Sequence, residues 1–183
     1  MAATMNPANA QQRFPLTGGP VVADTYTGFL GAYGQIFEHS AWVLQRAWPL
    51  RPFADTESLY TAFCRVLNAL NHEERLLLIR AHPQLADRVA IAQGLTESST
   101  AEQASAGLDQ LTGDEFELFQ TLNAQYRERH GFPFIICVRL HGKADILSIM
   151  RERVVRTTAE ELQEALDQIS RICRLRLWMQ LPG

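Results

Sequence analysis

Three short stretches of this sequence contain groups that could exchange protons with a small molecule. One is the imidazole of His82, which stands directly before a proline. A second is the carboxylate of Glu102, with the amide of Gln103 beside it. The third is an apolar run over residues 131–139, whose backbone supplies N–H and C=O groups. An imidazole that titrates near neutral pH, a carboxylate and a set of amides suit acid–base chemistry that needs no metal.

His82 is expected at the end of a helix. Residues 76–79 form an apolar run, and Pro83 disfavours helical geometry in the residue before it. At a helix end the side chain can point into a cleft, where it can act as a general acid or base. In the simpler interpretation the ring only satisfies one of the last carbonyl groups of its helix. The residues alone leave both interpretations open.

Ser99 or Thr100 is predicted to start a helix that contains Glu102 and Gln103, because hydroxyl residues favour the helix N-terminus. Glu102 follows Ser99 by three residues, so the pair could form a simple capping box. The same geometry can instead bind a ligand. Free N–H groups at a helix start, together with two hydroxyl groups, suit a carboxylate or a polar ring. Glu102 and Gln103 would then point acceptors and donors at that ligand.

Residues 134–138 are predicted to be the one buried, extended segment of a helical chain. Such a segment has no partner strand, yet buried backbone groups must be hydrogen-bonded somewhere. A ligand rich in amide groups is one solution, and a purely structural place in the core is the other. Cys137 lies among isoleucine and valine residues, so we expect an inert core residue and not a nucleophile. Arg139 and Arg176 could hold an anionic substrate or could be solvated.

The elements that must position these groups are predicted to be helices. Apolar residues at helical spacing and local start signals predict an all-α fold, a single domain of about eight helices with one short buried extended segment. Residues 1–23 are predicted to be a disordered or loosely packed tail, and residues 24–183 a helical domain. The predicted helix starts are Asp24, Ser40, Asp55, Asn71, Ser99 or Thr100, and Thr112, with two further helices over residues 143–156 and 158–179.

Composition excludes several classes of function. With 183 residues and a net charge of −3, the chain has no broad attraction to nucleic acid or acidic membranes. No apolar run approaches the length of a membrane span, and the first residues do not resemble a secretory signal. The three cysteines fit a reducing cytoplasm, and no spacing suggests a metal site. The arginines of the last helix have acidic neighbours, so we expect an amphipathic helix whose surface charges balance and not a basic patch that binds nucleic acid.

Five motifs, taken together, closely resemble the family of 2-oxo-4-hydroxy-4-carboxy-5-ureidoimidazoline decarboxylases, called OHCU decarboxylases. The resemblance runs in unbroken order from about Asp24 to Leu177. Each motif is weak alone, but the set is specific. The motifs are Phe37-Glu38-His39-Ser40, Ile79-Arg80-Ala81-His82-Pro83, Ser99-Thr100-Ala101-Glu102-Gln103-Ala104-Ser105-Ala106-Gly107-Leu108, Phe132-Pro133-Phe134-Ile135-Ile136-Cys137 and Ile172-Cys173-Arg174-Leu175-Arg176-Leu177.

The resemblance implies an all-α fold, usually a homodimer, that decarboxylates OHCU to (S)-allantoin in urate breakdown without metal or organic cofactor. His82 matches the catalytic histidine and Glu102 its acidic partner. Gln84 stands where the family usually has Asp, outside the matched catalytic positions. The last three residues do not match a peroxisomal address, so we expect a cytoplasmic protein. The predicted substrate-binding residues are Pro83, Ser99, Thr100, Ala101, Glu102, Gln103, Phe134, Ile135, Ile136, Cys137, Val138, Arg139 and Arg176.

Two functions of other classes are alternatives. A non-catalytic helical binding module would use His82 and Glu102 only as helix caps. A hydrolase acting on cyclic ureides would use His82 to activate water. Helical periodicity does not distinguish these functions, whereas the co-occurrence of the motifs favours the decarboxylase.

Overall fold

The computed structural model of the chain describes residues 14–16, 18, 21, 23–86 and 97–181. These residues form eight α helices and no β-strand, which confirms the all-α prediction. The predicted tail over residues 1–23 lies largely outside the described residues, so its disordered or loosely packed state and the domain boundaries stay predictions. The helices are α1 (Tyr26–Tyr33), α2 (Ala41–Ala47), α3 (Thr56–Asn68), α4 (His72–Arg80), α5 (Glu97–Ser105), α6 (Gly113–His130), α7 (Lys143–Arg153) and α8 (Thr158–Met179).

Local signals explain most helix starts, and two of the predicted caps are wrong. Asp55 caps α3 by accepting from the Ser58 N–H at 2.7 Å, as predicted. The cap of α1 is Thr25 and not Asp24, because the Thr25 hydroxyl accepts from a backbone N–H of the first turn. Helix α5 already includes Glu97. Ser99 and Thr100 therefore lie inside this helix and not at its start.

The backbone contacts group the chain into two compact units. The first unit extends to Arg75 and also includes the chain from Ser170 onward, and the second is Leu76–Ile169. In the first unit, α2 packs against both α1 and α3. Its core is aromatic and aliphatic. Fully buried members include Phe29, Phe37, Val43, Leu44, Leu59 and Phe63.

In the second unit, α6 has well-defined ends that were both predicted. Thr112 and Glu115 form a capping box at its start. Gly131 ends the helix with a φ of +79°, a conformation that glycine adopts without steric cost. The chain then runs through a buried stretch, residues 132–138, into a short 3-10 helix, Val138–Leu140.

The described helices do not combine the length and the apolar character that crossing a bilayer requires.

Candidate active site

His82 lies just beyond the end of α4, as predicted. Its backbone N–H donates to the carbonyl oxygen of Ile79 at 3.1 Å. The ring nitrogen Nδ1 lies 3.0 Å from the carbonyl oxygen of Leu78, and the residue is only 8% exposed. A carbonyl oxygen can only accept, so Nδ1 carries the hydrogen. In the neutral ring Nε2 is then the basic nitrogen, and this bond fixes both the tautomer and the direction of the ring.

The loop that follows His82 is held by three amide side chains. The Ala86 N–H donates to Gln103 Oε1 at 3.1 Å. The Ala86 carbonyl accepts from Gln120 Nε2 at 3.0 Å, and the Leu85 carbonyl accepts from Asn123 Nδ2 at 2.9 Å. Ala86 has a φ of +54°, which is unfavourable for a residue with a Cβ. The surrounding amides therefore stabilise a loop conformation that local preference does not.

Helix α5 presents three of its five predicted site residues on one buried face. Ser99, Glu102 and Gln103 are 5%, 7% and 5% exposed. Their spacing of three and four residues places them on the same side of the helix. Thr100 and Ala101 are exposed and lie on the outer face. A carboxylate this deeply buried is uncommon in proteins, so the position of Glu102 is unlike that of an ordinary surface residue.

The segment over residues 134–138 is buried throughout and has no strand partner among the described residues. Side chains take part of that role. The Ile135 carbonyl accepts from Arg153 at 2.8 Å, and the Cys137 N–H donates to Gln168 Oε1 at 2.8 Å. Cys137 is 1% exposed, in keeping with a core residue. Side chains of the protein therefore hydrogen-bond to some of the backbone groups for which the sequence suggested a ligand as one possible partner.

The other backbone donors of this segment are different. The N–H groups of Phe134, Ile135, Ile136 and Val138 make no hydrogen bond within the described part of the chain. All four residues are at most 4% exposed. Since buried N–H groups are rarely left unpaired, these four are candidates for contact with a bound molecule.

The three predicted segments belong to the same unit and are linked to one another. Helix α5 packs against the 3-10 helix Val138–Leu140, which continues the buried segment. The bond from Ala86 to Gln103 joins the same helix to the loop after His82. The structure therefore brings the imidazole loop, the carboxylate helix and the amide-bearing segment into one neighbourhood.

The two candidate arginines have different surroundings. Arg139 is half-buried, and its Nε is buried without a hydrogen-bond partner in the described residues. Arg176 belongs to the first unit and is 5% exposed. Its Nη1 lies 3.1 Å from Glu38 Oε2 and 3.1 Å from the Gln35 carbonyl oxygen. The sequence predicted that the arginines of the last helix lie on a surface where nearby acidic residues balance their charge. At Arg176 this prediction is wrong, because the side chain is buried and its carboxylate partner, Glu38, is 138 residues away in the sequence.

A family model described as OHCU decarboxylase matches residues 24–178. This chain belongs to the OHCU decarboxylase family. Among curated relatives, the 2-oxo-4-hydroxy-4-carboxy-5-ureidoimidazoline decarboxylase of Haloferax volcanii is 42% identical over 149 residues, which are 81% of this chain and 86% of that protein. The resemblance that the five motifs predict is confirmed.

Solved structures agree with the fold of this OHCU decarboxylase family member. A crystal structure of (S)-allantoin synthase is similar with a TM-score of 0.69 and 28% identity, over 86% of this chain and 51% of that one. This chain therefore spans about half the length of that protein. A crystal structure of OHCU decarboxylase in the presence of (S)-allantoin has a TM-score of 0.65 with 20% identity, over 79% and 93% of the two chains.

Sequence reasoning missed the polar residues that hold the site segments in this family member. Gln120, Asn123, Arg153 and Gln168 lie on helices and look like ordinary surface positions in the sequence. One signal was available for α8. Its buried stripe contains Glu161, Ala165, Gln168 and Ile172 at helical spacing, and polar residues on a core-facing stripe are normally paired.

Proposed function

We propose that this chain catalyses the decarboxylation of OHCU to (S)-allantoin in urate breakdown. Membership of the OHCU decarboxylase family supports the reaction. The observation that carries the assignment of the site is the hydrogen bond from the Ala86 N–H to Gln103 Oε1. That bond ties the loop after His82 to the helix that holds Glu102, so the two groups with acid–base chemistry are linked through one short connection.

The substrate can itself accept the electrons that remain when carbon dioxide leaves. In OHCU the carboxylate is bonded to a ring carbon that also carries a hydroxyl group and adjoins a C=N bond. When the bond to the carboxylate breaks, its electron pair moves into the adjacent C=N, and the ring nitrogen takes up a proton. The resulting enol becomes allantoin when its hydroxyl loses a proton and the ureido-bearing carbon gains one. The reaction therefore involves one proton loss, at the hydroxyl group, and two proton gains, at the ring nitrogen and at the ureido-bearing carbon.

His82 is proposed to deliver the proton to carbon. The product is a single enantiomer, so this proton must arrive from one face of the ring. The hydrogen bond from Nδ1 to the Leu78 carbonyl oxygen, at 3.0 Å, fixes the imidazole and makes Nε2 the nitrogen that exchanges protons. Nε2 first takes up a proton, and the imidazolium then donates it to carbon. A ring that cannot turn delivers that proton from one direction, which accounts for stereospecific protonation.

Glu102 is proposed to accept or orient the proton of the substrate hydroxyl group. Its carboxylate is on the buried face of α5 and is 7% exposed. A water-poor setting strengthens its interaction with a polar ligand. Glu102 and His82 then act on different atoms of the substrate, the carboxylate at the hydroxyl group and the imidazole at carbon.

The remaining predicted residues are proposed to bind substrate. The N–H groups of Phe134 and Ile136 would donate to the carbonyl groups of the ring and the ureido chain, and Arg139 would attract the carboxylate. Arg176, and Thr100 and Ala101 on the exposed face of α5, are kept as candidates on their motif matches alone. The full proposed set is Pro83, Ser99, Thr100, Ala101, Glu102, Gln103, Phe134, Ile135, Ile136, Cys137, Val138, Arg139 and Arg176.

The reaction is tested with substrate made in place from urate by urate oxidase and the hydrolase that follows it. Circular dichroism reports (S)-allantoin, and released carbon dioxide is measured in the same sample. We expect rapid growth of both signals with the protein. Growth only at the slow, racemic rate of the uncatalysed reaction would contradict the proposal.

The same assay separates the alternatives. A hydrolase of cyclic ureides would consume the substrate without accelerating gas release. A non-catalytic binding module would bind (S)-allantoin in calorimetry but leave both rates unchanged.

We also propose that the protein is a cytoplasmic homodimer. The free cysteines Cys64, Cys137 and Cys173 are compatible with a reducing compartment. The dimer rests on the family resemblance. Light scattering during gel filtration should give twice the chain mass of 20.6 kDa, and a mass of a single chain would contradict the dimer.

A further inference from the structure

Side chains of two helices, α7 and α8, hydrogen-bond to the backbone of the buried segment over residues 134–138. Arg153 of α7 donates from Nη1 to the Ile135 carbonyl oxygen at 2.8 Å. Gln168 of α8 accepts from the Cys137 N–H at 2.8 Å. These two backbone groups are on alternate residues, as in a strand that faces a neighbour. In such a backbone the polar groups of the intervening residue point to the other side.

Arg153 is itself fixed by a buried ion pair. Its Nε lies 2.8 Å from Glu161 Oε2, and the side chains of these two residues are 2% and 0% exposed. The Tyr126 hydroxyl donates to the same carboxylate oxygen at 2.6 Å. The guanidinium carbon also lies 4.4 Å from the centre of the Phe134 ring. A buried pair of this kind adds little net stability, because removing both charges from water is costly, but it fixes geometry.

Gln168 is also held at both ends of its amide. Its Oε1 accepts from the Cys137 N–H, and its Nε2 donates to Glu164 Oε1 at 2.8 Å. The residue is 5% exposed. The bond to Glu164 therefore fixes which end of the Gln168 amide faces the Cys137 N–H.

We propose that Arg153 and Gln168 are positioning residues that turn the Phe134 and Ile136 N–H groups toward the substrate. The inference rests on the proposed decarboxylase function. By holding the polar groups of Ile135 and Cys137 toward α7 and α8, the two side chains direct the neighbouring N–H groups the other way. These two N–H groups have no partner in the described residues, and neither do those of Ile135 and Val138, so the direction of the groups and not their lack of a partner carries the inference. An acceptor-rich ring with a ureido chain matches two donors two residues apart.

Gln168→Leu is the direct test, because it removes the acceptor for the Cys137 N–H and replaces it with an apolar side chain of similar size. We expect KM for OHCU to rise about tenfold, equivalent to about 1.4 kcal/mol of binding, with kcat within about threefold of wild type. The product should remain (S)-allantoin, since His82 is untouched. Gln163→Leu, on the exposed face of the same helix, is the matched control and should leave both constants unchanged.

A rescue variant keeps the test informative should Gln168→Leu not fold. The double variant Glu164→Gln with Gln168→Glu exchanges donor and acceptor. It leaves an oxygen for the Cys137 N–H, so KM should stay within about threefold of wild type. Arg153→Lys keeps the positive charge beside Glu161 but loses the planar fork that serves two acceptors at once. It should raise KM with kcat largely kept.

The outcomes separate this inference from the proposed function. An active wild-type protein whose KM is unchanged in Gln168→Leu and Arg153→Lys would overturn the positioning role alone. A double variant with KM raised as much as in Gln168→Leu would also overturn it. A wild-type protein without accelerated gas release would overturn both proposals. Loss of kcat and melting temperature at constant KM would indicate a purely structural role and contradict positioning.

Discussion

Gln103 accepts a hydrogen bond from the backbone N–H of Ala86 at 3.1 Å, and this bond connects α5 with the loop after His82. Gln103 and Ala86 are 5% and 2% exposed, so the bond lies in a water-poor setting. The bonded residue has a φ of +54°. The amide of Gln103 therefore supports a loop residue in an unfavourable backbone conformation, and we expect the position of the His82 imidazole to depend on this bond.

Replacing Gln103 should loosen that loop. Gln103→Leu leaves a buried N–H group unpaired, and we expect a loss of about 1–3 kcal/mol in the free energy of unfolding. Turnover should fall as well, because His82 would be less well placed. Urea denaturation and the allantoin assay measure the two effects. Gln125→Leu, at an exposed position of α6, is the control, and equal denaturation midpoints for the two variants would count against this role.

Glu102→Gln tests the proposed carboxylate. The amide keeps the size of the side chain but cannot accept a proton, so we expect turnover to fall by about 10²-fold or more. Far-ultraviolet circular dichroism should show an unchanged helix content. Glu128→Gln removes an exposed carboxylate of α6 and should keep the wild-type rate. An unchanged rate in Glu102→Gln would leave Glu102 with a structural role only.

Gly131→Ala tests the end of α6. The glycine has a φ of +79°, which costs an L residue about 1–2 kcal/mol. We expect the free energy of unfolding to fall by about that amount. Gly113→Ala, at the start of the same helix, has no atom within 4 Å of the added Cβ and a normal φ, so it should be neutral or slightly stabilising. Equal stabilities of the two variants would contradict the left-handed cap.

The fold was predictable because its signals are local, whereas the supports of the site are not. Thr112 and Gly131 mark the ends of α6 within the sequence itself. Gln168 and the Cys137 N–H are 31 residues apart, and Asn123 and the Leu85 carbonyl are 38 residues apart. No periodic pattern pairs such residues. The motifs therefore predicted which segments carry the chemistry, but the side chains that hold these segments became visible only in the structure.

The pH dependence of stability should report on His130. Burial lowers the pKa of His130 from its usual 6.5, with Arg129 and Arg153 acting in the same direction and Glu161 opposing them. The unfolded chain then binds the proton more readily than the folded one. The contribution of neutral His130 to the free energy of unfolding is therefore present above about pH 6.5 and is lost as the pH falls through the lowered pKa.

His130→Gln should remove this dependence. Urea denaturation at about pH 7.5 and about pH 5.5 would show wild type losing more stability than the variant on acidification. Parallel losses in the two proteins would mean that His130 does not contribute. The other four histidines are common to both proteins, so their titration cancels in the comparison.

The most direct test of the account compares His82→Ala with His72→Ala in the allantoin assay. His72 is an exposed residue at the start of α4, the helix beyond whose end His82 lies. We predict that His72→Ala keeps wild-type formation of (S)-allantoin. His82→Ala should retain the helix content but lose turnover by about 10²-fold or more, toward the slow racemic rate. Wild-type formation of (S)-allantoin by His82→Ala would contradict the central claim.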